Sequence, residues 1–231
     1  TIILAVAKHF YEKSQYEEKS YDEILDEIKE ERLTTGALNN VTRTNGGIDQ
    51  KDIIAFLDDV STDESDSENS EEIQSKKPII LIIDNIQDPH NLGACIRTAN
   101  AAGVSLIIKR KTNSVGITPT VQKVASGGCR NIIIYESNNI INLIKTLKKS
   151  NIPVIGTADS SMENIYTKRT LSNGFALVVG SENDGIRKSV MDCCDFVVRI
   201  PIYGSVNCLN LSVATGVALY QLREHLKNSS D

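Results

Sequence analysis

From Pro78 to the C-terminal end, short apolar runs alternate with helix-patterned segments, and this alternation constrains the fold more than any other feature of the 231 residues. The runs are Ile79–Asp84, Ser105–Arg110, Asn131–Glu136, Pro153–Ala158, Phe175–Gly180 and Phe196–Ile202. Helical patterns lie between them near 90–102, 119–126, 138–150 and 185–194, with a last one at 209–227. Runs that are apolar throughout suit strands buried on both faces. Helices of this length supply the crossovers that parallel strands require. The expected fold is therefore α/β, a mostly parallel sheet with helices on both faces.

The upstream residues read differently. Thr1–Ala7 is β-branched and apolar and suits a strand, and Tyr21–Leu33 suits a short amphipathic helix. Between Thr34 and Lys77 come Asn-Gly and Gly-Gly pairs and then an acidic tract, Asp58–Glu72, too poor in apolar residues to offset the entropy of ordering. The expected organisation is an N-terminal extension over 1–57, a disordered acidic linker or insertion over 58–77, and a compact domain over 78–231. Charge divides the same way. Residues 1–75 hold 7 Lys+Arg against 19 Asp+Glu, a net of -12, whereas residues 76–231 hold 18 against 11, a net of +7. The overall -5 hides a basic part suited to a polyanion such as RNA, although a modest basic excess is also ordinary for a solvated surface.

Several function classes are excluded or disfavoured. No apolar run approaches the roughly 20 residues that cross a bilayer, and Thr1–Ala7 is too short and lacks the basic flank of a signal peptide. The absence of an initiator Met is expected to mean that residues upstream are missing. Five cysteines, Cys95, Cys129, Cys193, Cys194 and Cys208, show no C-x-x-C spacing, so reduced thiols and a cytoplasmic or organelle-matrix location are expected, with no structural zinc. His9, His90 and His225 form no cluster with ligand spacing, and no metal is expected. Neither GxGxxG nor GxxxxGK[ST] follows a strand, which disfavours a dinucleotide fold and a P-loop NTPase.

In an open α/β sheet, ligands bind beyond the carboxyl ends of the strands. Three such segments carry polar chemistry. In the first, DPHNLGACIRTANAAGV at 88–104, Asn91, Gly93 and Arg97 fall in the first turns of a helix; taken alone, Asn91 would read as a cap and Arg97 as solvated. In the second, Leu177–Ile186, a buried strand runs into Gly180, Glu182 offers a carboxylate, and Gly185 permits a turn; its plain reading is a strand-to-helix loop. The third, IPIYGSVNCLNLSVATG at 200–216, sets Asn207, Asn210 and Ser212 among small and apolar residues at the mouth of a helix, which suits amide recognition or simple capping.

Together with KVASGG at 123–128, these motifs in this order resemble the SpoU (TrmH) family of S-adenosylmethionine-dependent RNA ribose 2'-O-methyltransferases, within the knotted SPOUT class. The resemblance covers about residues 78–226 and lies nearest the members that methylate a guanosine of large-subunit rRNA. It implies a deep trefoil knot near the C-terminus, an obligate homodimer, an RNA substrate, and S-adenosylmethionine held in loops around Thr157, Gly180, Ile200 and Leu209. It places Asn91, Arg97, Glu182 and Asn210 on catalytic and substrate-positioning positions. Two departures stand out. Cys208 occupies a position where many relatives have Ser, a better hydrogen-bond donor, and of the small RNA-binding domain of the rRNA-directed members only a strand-like tail at Thr1–Ala7 is expected here. A tRNA ribose methyltransferase of the same family and a non-catalytic RNA-binding or ribosome-assembly factor are the alternatives.

Overall fold

The structure, a computed structural model, describes residues 77–130, 132–181 and 184–227, all within one compact unit, Lys76–Asp231. The strand expected at Thr1–Ala7, the helix at Tyr21–Leu33 and the acidic linker lie outside the described residues, as does Glu182.

Six strands form one sheet: β1 (Ile79–Ile83), β2 (Leu106–Arg110), β3 (Ile133–Ser137), β4 (Val154–Thr157), β5 (Phe175–Val179) and β6 (Phe196–Val198). Their spatial order is β3-β2-β1-β5-β4-β6, and every pairing is parallel. The apolar runs explain the order. All five residues of β1 and all five of β5 are buried, as central strands covered on both faces require, whereas β3 at one edge is only half-buried along its length.

The helices are α1 (Pro89–Ala101), α2 (Pro119–Ala125), α3 (Ile140–Lys149), α4 (Lys188–Met191) and α5 (Leu211–Lys227), with a 3-10 turn at Gly128–Arg130. Because side chains alternate along a strand, Leu81, Ile83, Ile107, Leu177 and Val179 share one face, where they meet Leu92, Ile96 and Ala99 of α1, Val121 of α2 and Leu219 and Leu222 of α5. The opposite face carries Ile80, Ile82 and Ile108, also fully buried, and α3 lies against β2 and β4. Each such Ile or Leu contributes roughly 1.5–3 kcal/mol through burial.

Local capping sets the helix starts. Asp88 is the N-cap of α1, its carboxylate accepting from His90 N at 2.9 Å, and Pro89 follows at the first helical position. Asn91 is thus inside the first turn and not the cap. Two expected elements are much shorter than their sequence patterns. β6 stops at Val198 because the main chain of Arg199 pairs instead with Glu163 and Ile165, and Pro201 follows without an N–H. The pattern at 185–194 yields only the single turn of α4, because Arg187 N is drawn to Asp84 Oδ2 at 2.9 Å.

Candidate active site

The parallel sheet puts the carboxyl ends of all six strands at one edge, and the sequence motifs sit there. Asn91 and Asn210, from the first and third motifs, meet directly: Asn210 Nδ2 donates to Asn91 Oδ1 at 2.9 Å. The same Asn210 starts α5, its Oδ1 accepting from Ser212 N at 3.0 Å and Ser212 Oγ at 2.6 Å. One side chain therefore caps a helix and joins two motifs. With its oxygen committed to the cap, its amide nitrogen is turned toward Asn91.

Arg97 is exposed two turns along α1, and its Nη1 donates to Ser126 Oγ at 3.4 Å. Six residues at about 100° each place Arg97 roughly 120° around the helix from Asn91. The two thus look toward different neighbours, α5 for Asn91 and the end of α2 for Arg97. Ser126 closes α2 in the left-handed conformation, φ 49°. The close approach of α1 and α2 rests on Gly93, where a Cβ would lie 2.7 Å from Val124 Cβ and 2.8 Å from the Val121 carbonyl oxygen. Gly93 is a packing residue.

Thr157 ends β4, Gly180 follows β5, Ile200 lies two residues beyond β6, and Leu209 lies two residues before α5. Thr157 Oγ1 donates to Val178 O at 3.3 Å on the neighbouring strand. Gly180 follows β5, and a Cβ there would fall 1.9 Å from Gly185 C, so only glycine admits the fold-back in which Ser181 and Gly185 exchange backbone hydrogen bonds of 3.2 and 3.0 Å. Residues 200–209 exchange no backbone hydrogen bond with any other described residue, and Tyr203 to Cys208 are exposed. Exposed main-chain donors and acceptors over such a length are suited to gripping a polar ligand.

The sequence reading missed an ion pair that fastens this edge together. Asp84, fully buried just beyond β1, receives Arg187 Nε at 2.9 and 3.1 Å, Nη2 at 2.6 Å and the Arg187 backbone N at 2.9 Å. Hydrogen bonding to Asp84 pushes the Arg187 guanidinium further up from its ordinary value, with burial opposing. The available signal was an acid set flush against five apolar residues. A second ion pair, the buried Lys109 Nζ with the partly exposed Glu136 Oε1 at 2.7 Å, joins β2 to β3. No disulfide joins the described cysteines, and burial first, then the charges of Cys193 and Asp195, push the Cys194 thiol up to about 12. Among the described residues no group of His, Cys, Asp and Glu could hold a metal ion, and no helix is long and apolar enough to cross a membrane.

A parallel six-stranded α/β sheet with its polar loops at one edge has counterparts among RNA methyltransferases. An S-adenosylmethionine-bound rRNA methyltransferase from Sinorhizobium meliloti shares the fold with a TM-score of 0.61 over 97% of this chain and 94% of that one, at 21% identity. Residues 78–220 match the SpoU rRNA Methylase family, and the chain belongs to that family. It is 37% identical to the 23S rRNA (guanosine-2'-O-)-methyltransferase RlmB of Haemophilus ducreyi over 89% of this chain and 85% of that protein. It is 42% identical to the RlmB of Shewanella oneidensis over 62% of this chain and 58% of that protein.

Proposed function

We propose that the chain transfers a methyl group from S-adenosylmethionine to the ribose 2'-OH of a guanosine in large-subunit rRNA. The observation that carries the reading is the Asn210–Asn91 hydrogen bond, which joins the first and third motifs at the carboxyl edge of the sheet beside the exposed segment Tyr203 to Cys208. The rRNA substrate is supported by the relatives named RlmB.

The donor, when bound, supplies an electrophilic methyl on a sulfonium. The residues around Thr157, Gly180, Ile200 and Leu209 would hold it, chiefly through main-chain groups. Displacement at that methyl needs an oxygen aligned with it and carrying much of its negative charge, so positioning and charge stabilisation dominate. Arg97 binds a phosphate and steadies the developing alkoxide; a guanidinium is a poor proton acceptor, and the proton passes to water. Asn91, Asn210 and Glu182 orient the ribose and the donor. The C-terminal segment is threaded as a deep trefoil knot, and a second copy of the chain covers the exposed Tyr203, Val213 and Tyr220 in a homodimer that works in the cytoplasm or an organelle matrix.

Tritium transfer from labelled donor to total rRNA and to tRNA tests the reading, with Arg97→Ala as control. Label in large-subunit rRNA that the control lacks is expected. Label only in tRNA would move the substrate, and donor binding with transfer to neither RNA would favour a binding factor.

A further inference from the structure

We propose that Arg187 is a positioning residue for the methyl-donor site: held by Asp84, it fixes Gly185 and Ile186 over Gly180 and so sets the donor-side backbone at the end of β5. This rests on the methyltransferase reading above and adds a role for two residues outside the four catalytic positions.

Three observations carry it. The Asp84 carboxylate is fully buried and takes four hydrogen bonds from one residue, so it is spent on Arg187 and is not free to touch a substrate. Arg187 directly follows Gly185–Ile186, whose backbone lies where a Gly180 Cβ would be, at 1.9 to 2.2 Å. Asp84 N in turn donates to Val179 O at 2.9 Å, so the last residues of β1 and β5 and the strap returning over Gly180 are tied at one point.

Stability alone gives a poor reason for such a pair. Taking the Asp84 carboxylate from water costs about what the pairing returns, since the Arg187 side chain stays 37% exposed, and well-packed neutral replacements of such pairs are often equally stable. What an apolar pair cannot reproduce is the fork geometry, in which Nε, Nη2 and the backbone N of one residue converge on one carboxylate. A site that binds through main-chain atoms depends on this kind of support, because it has no side chains to readjust. The Lys109–Glu136 pair, buried at its lysine, spans two strands and holds no loop.

The test separates geometry from stability. Arg187→Met alone leaves a buried carboxylate unpaired and is expected to lower Tm. The double variant Asp84→Asn/Arg187→Met removes that charge while keeping an oxygen for the backbone N–H of residue 187, and Arg187→Lys keeps the charge but loses the fork. Calorimetric titration with S-adenosylmethionine is expected to show about tenfold weaker binding in both, the double variant melting near the wild type. Wild-type affinity in Arg187→Lys, or in a stably folded double variant, would overturn the positioning role. A wild-type chain that binds no donor would instead overturn the methyltransferase reading itself.

Discussion

Asn210 donates to Asn91 across 119 residues of sequence at 2.9 Å while its own oxygen caps α5, so a helix start and a site contact depend on the same amide. The two roles separate by mutation. Asn210→Ala removes cap and contact and should cost about 1 kcal/mol of stability together with most turnover. Asn91→Ala leaves the cap of α5 in place and should lower turnover with a smaller stability change than Asn210→Ala. Thermal melts and methyl-transfer rates check the split, and in the double variant the turnover losses should fall well short of additive.

Arg97 is exposed and touches Ser126 only at 3.4 Å, so little of the fold depends on it. Arg97→Ala should leave Tm nearly unchanged and reduce transfer by roughly a hundredfold or more, the scale of losing one preorganised group that stabilises developing charge. Arg97→Lys restores a charge without the fork and should recover little. A lysine variant near wild-type turnover would mean that charge alone suffices.

At Gly93 a methyl group would meet both a side chain and a backbone carbonyl. Gly93→Ala should destabilise the domain by about 1–3 kcal/mol, as overpacking does. Adding Val124→Ala should recover only part, because the Val121 carbonyl stays in place. Denaturant midpoints of the three proteins measure this.

His225 on α5 is buried, with Gln221 Nε2 at 3.2 Å from its Nε2. Burial first, then the charges of Arg169 and Lys168, hold its imidazole below the ordinary 6.5. Between that depressed value and 6.5 the unfolded chain binds the proton and the folded chain does not, so stability falls as pH drops below about 6.5 and levels off once the folded histidine is protonated. Tm measured from pH 7.5 to 5 should show this slope, and His225→Gln should flatten it.

The strands were legible in the sequence because β1, β2 and β5 are buried on both faces and admit almost nothing but apolar residues. Glycines and amides in the motifs marked the strand ends. What the pattern could not show were contacts between distant residues. Asp84 reads as the polar end of a strand until Arg187 is seen to arrive from 103 residues away. Asn91 passes for a cap because Asn is a good one, and only the structure shows Asp88 already in that position. The run through Ile202 reads as strand although Arg199 has exchanged its sheet partner for the segment around Asn164.

If this edge of the sheet delivers a methyl group to a ribose oxygen, the modified nucleoside is its direct product. The most direct measurement is mass spectrometry of nucleosides from large-subunit rRNA incubated with the protein and S-adenosylmethionine. The expected product is one 2'-O-methylguanosine per rRNA, absent with Asn210→Ala or Arg97→Ala. Methylation on a base, or ribose methylation that survives both substitutions, would contradict it.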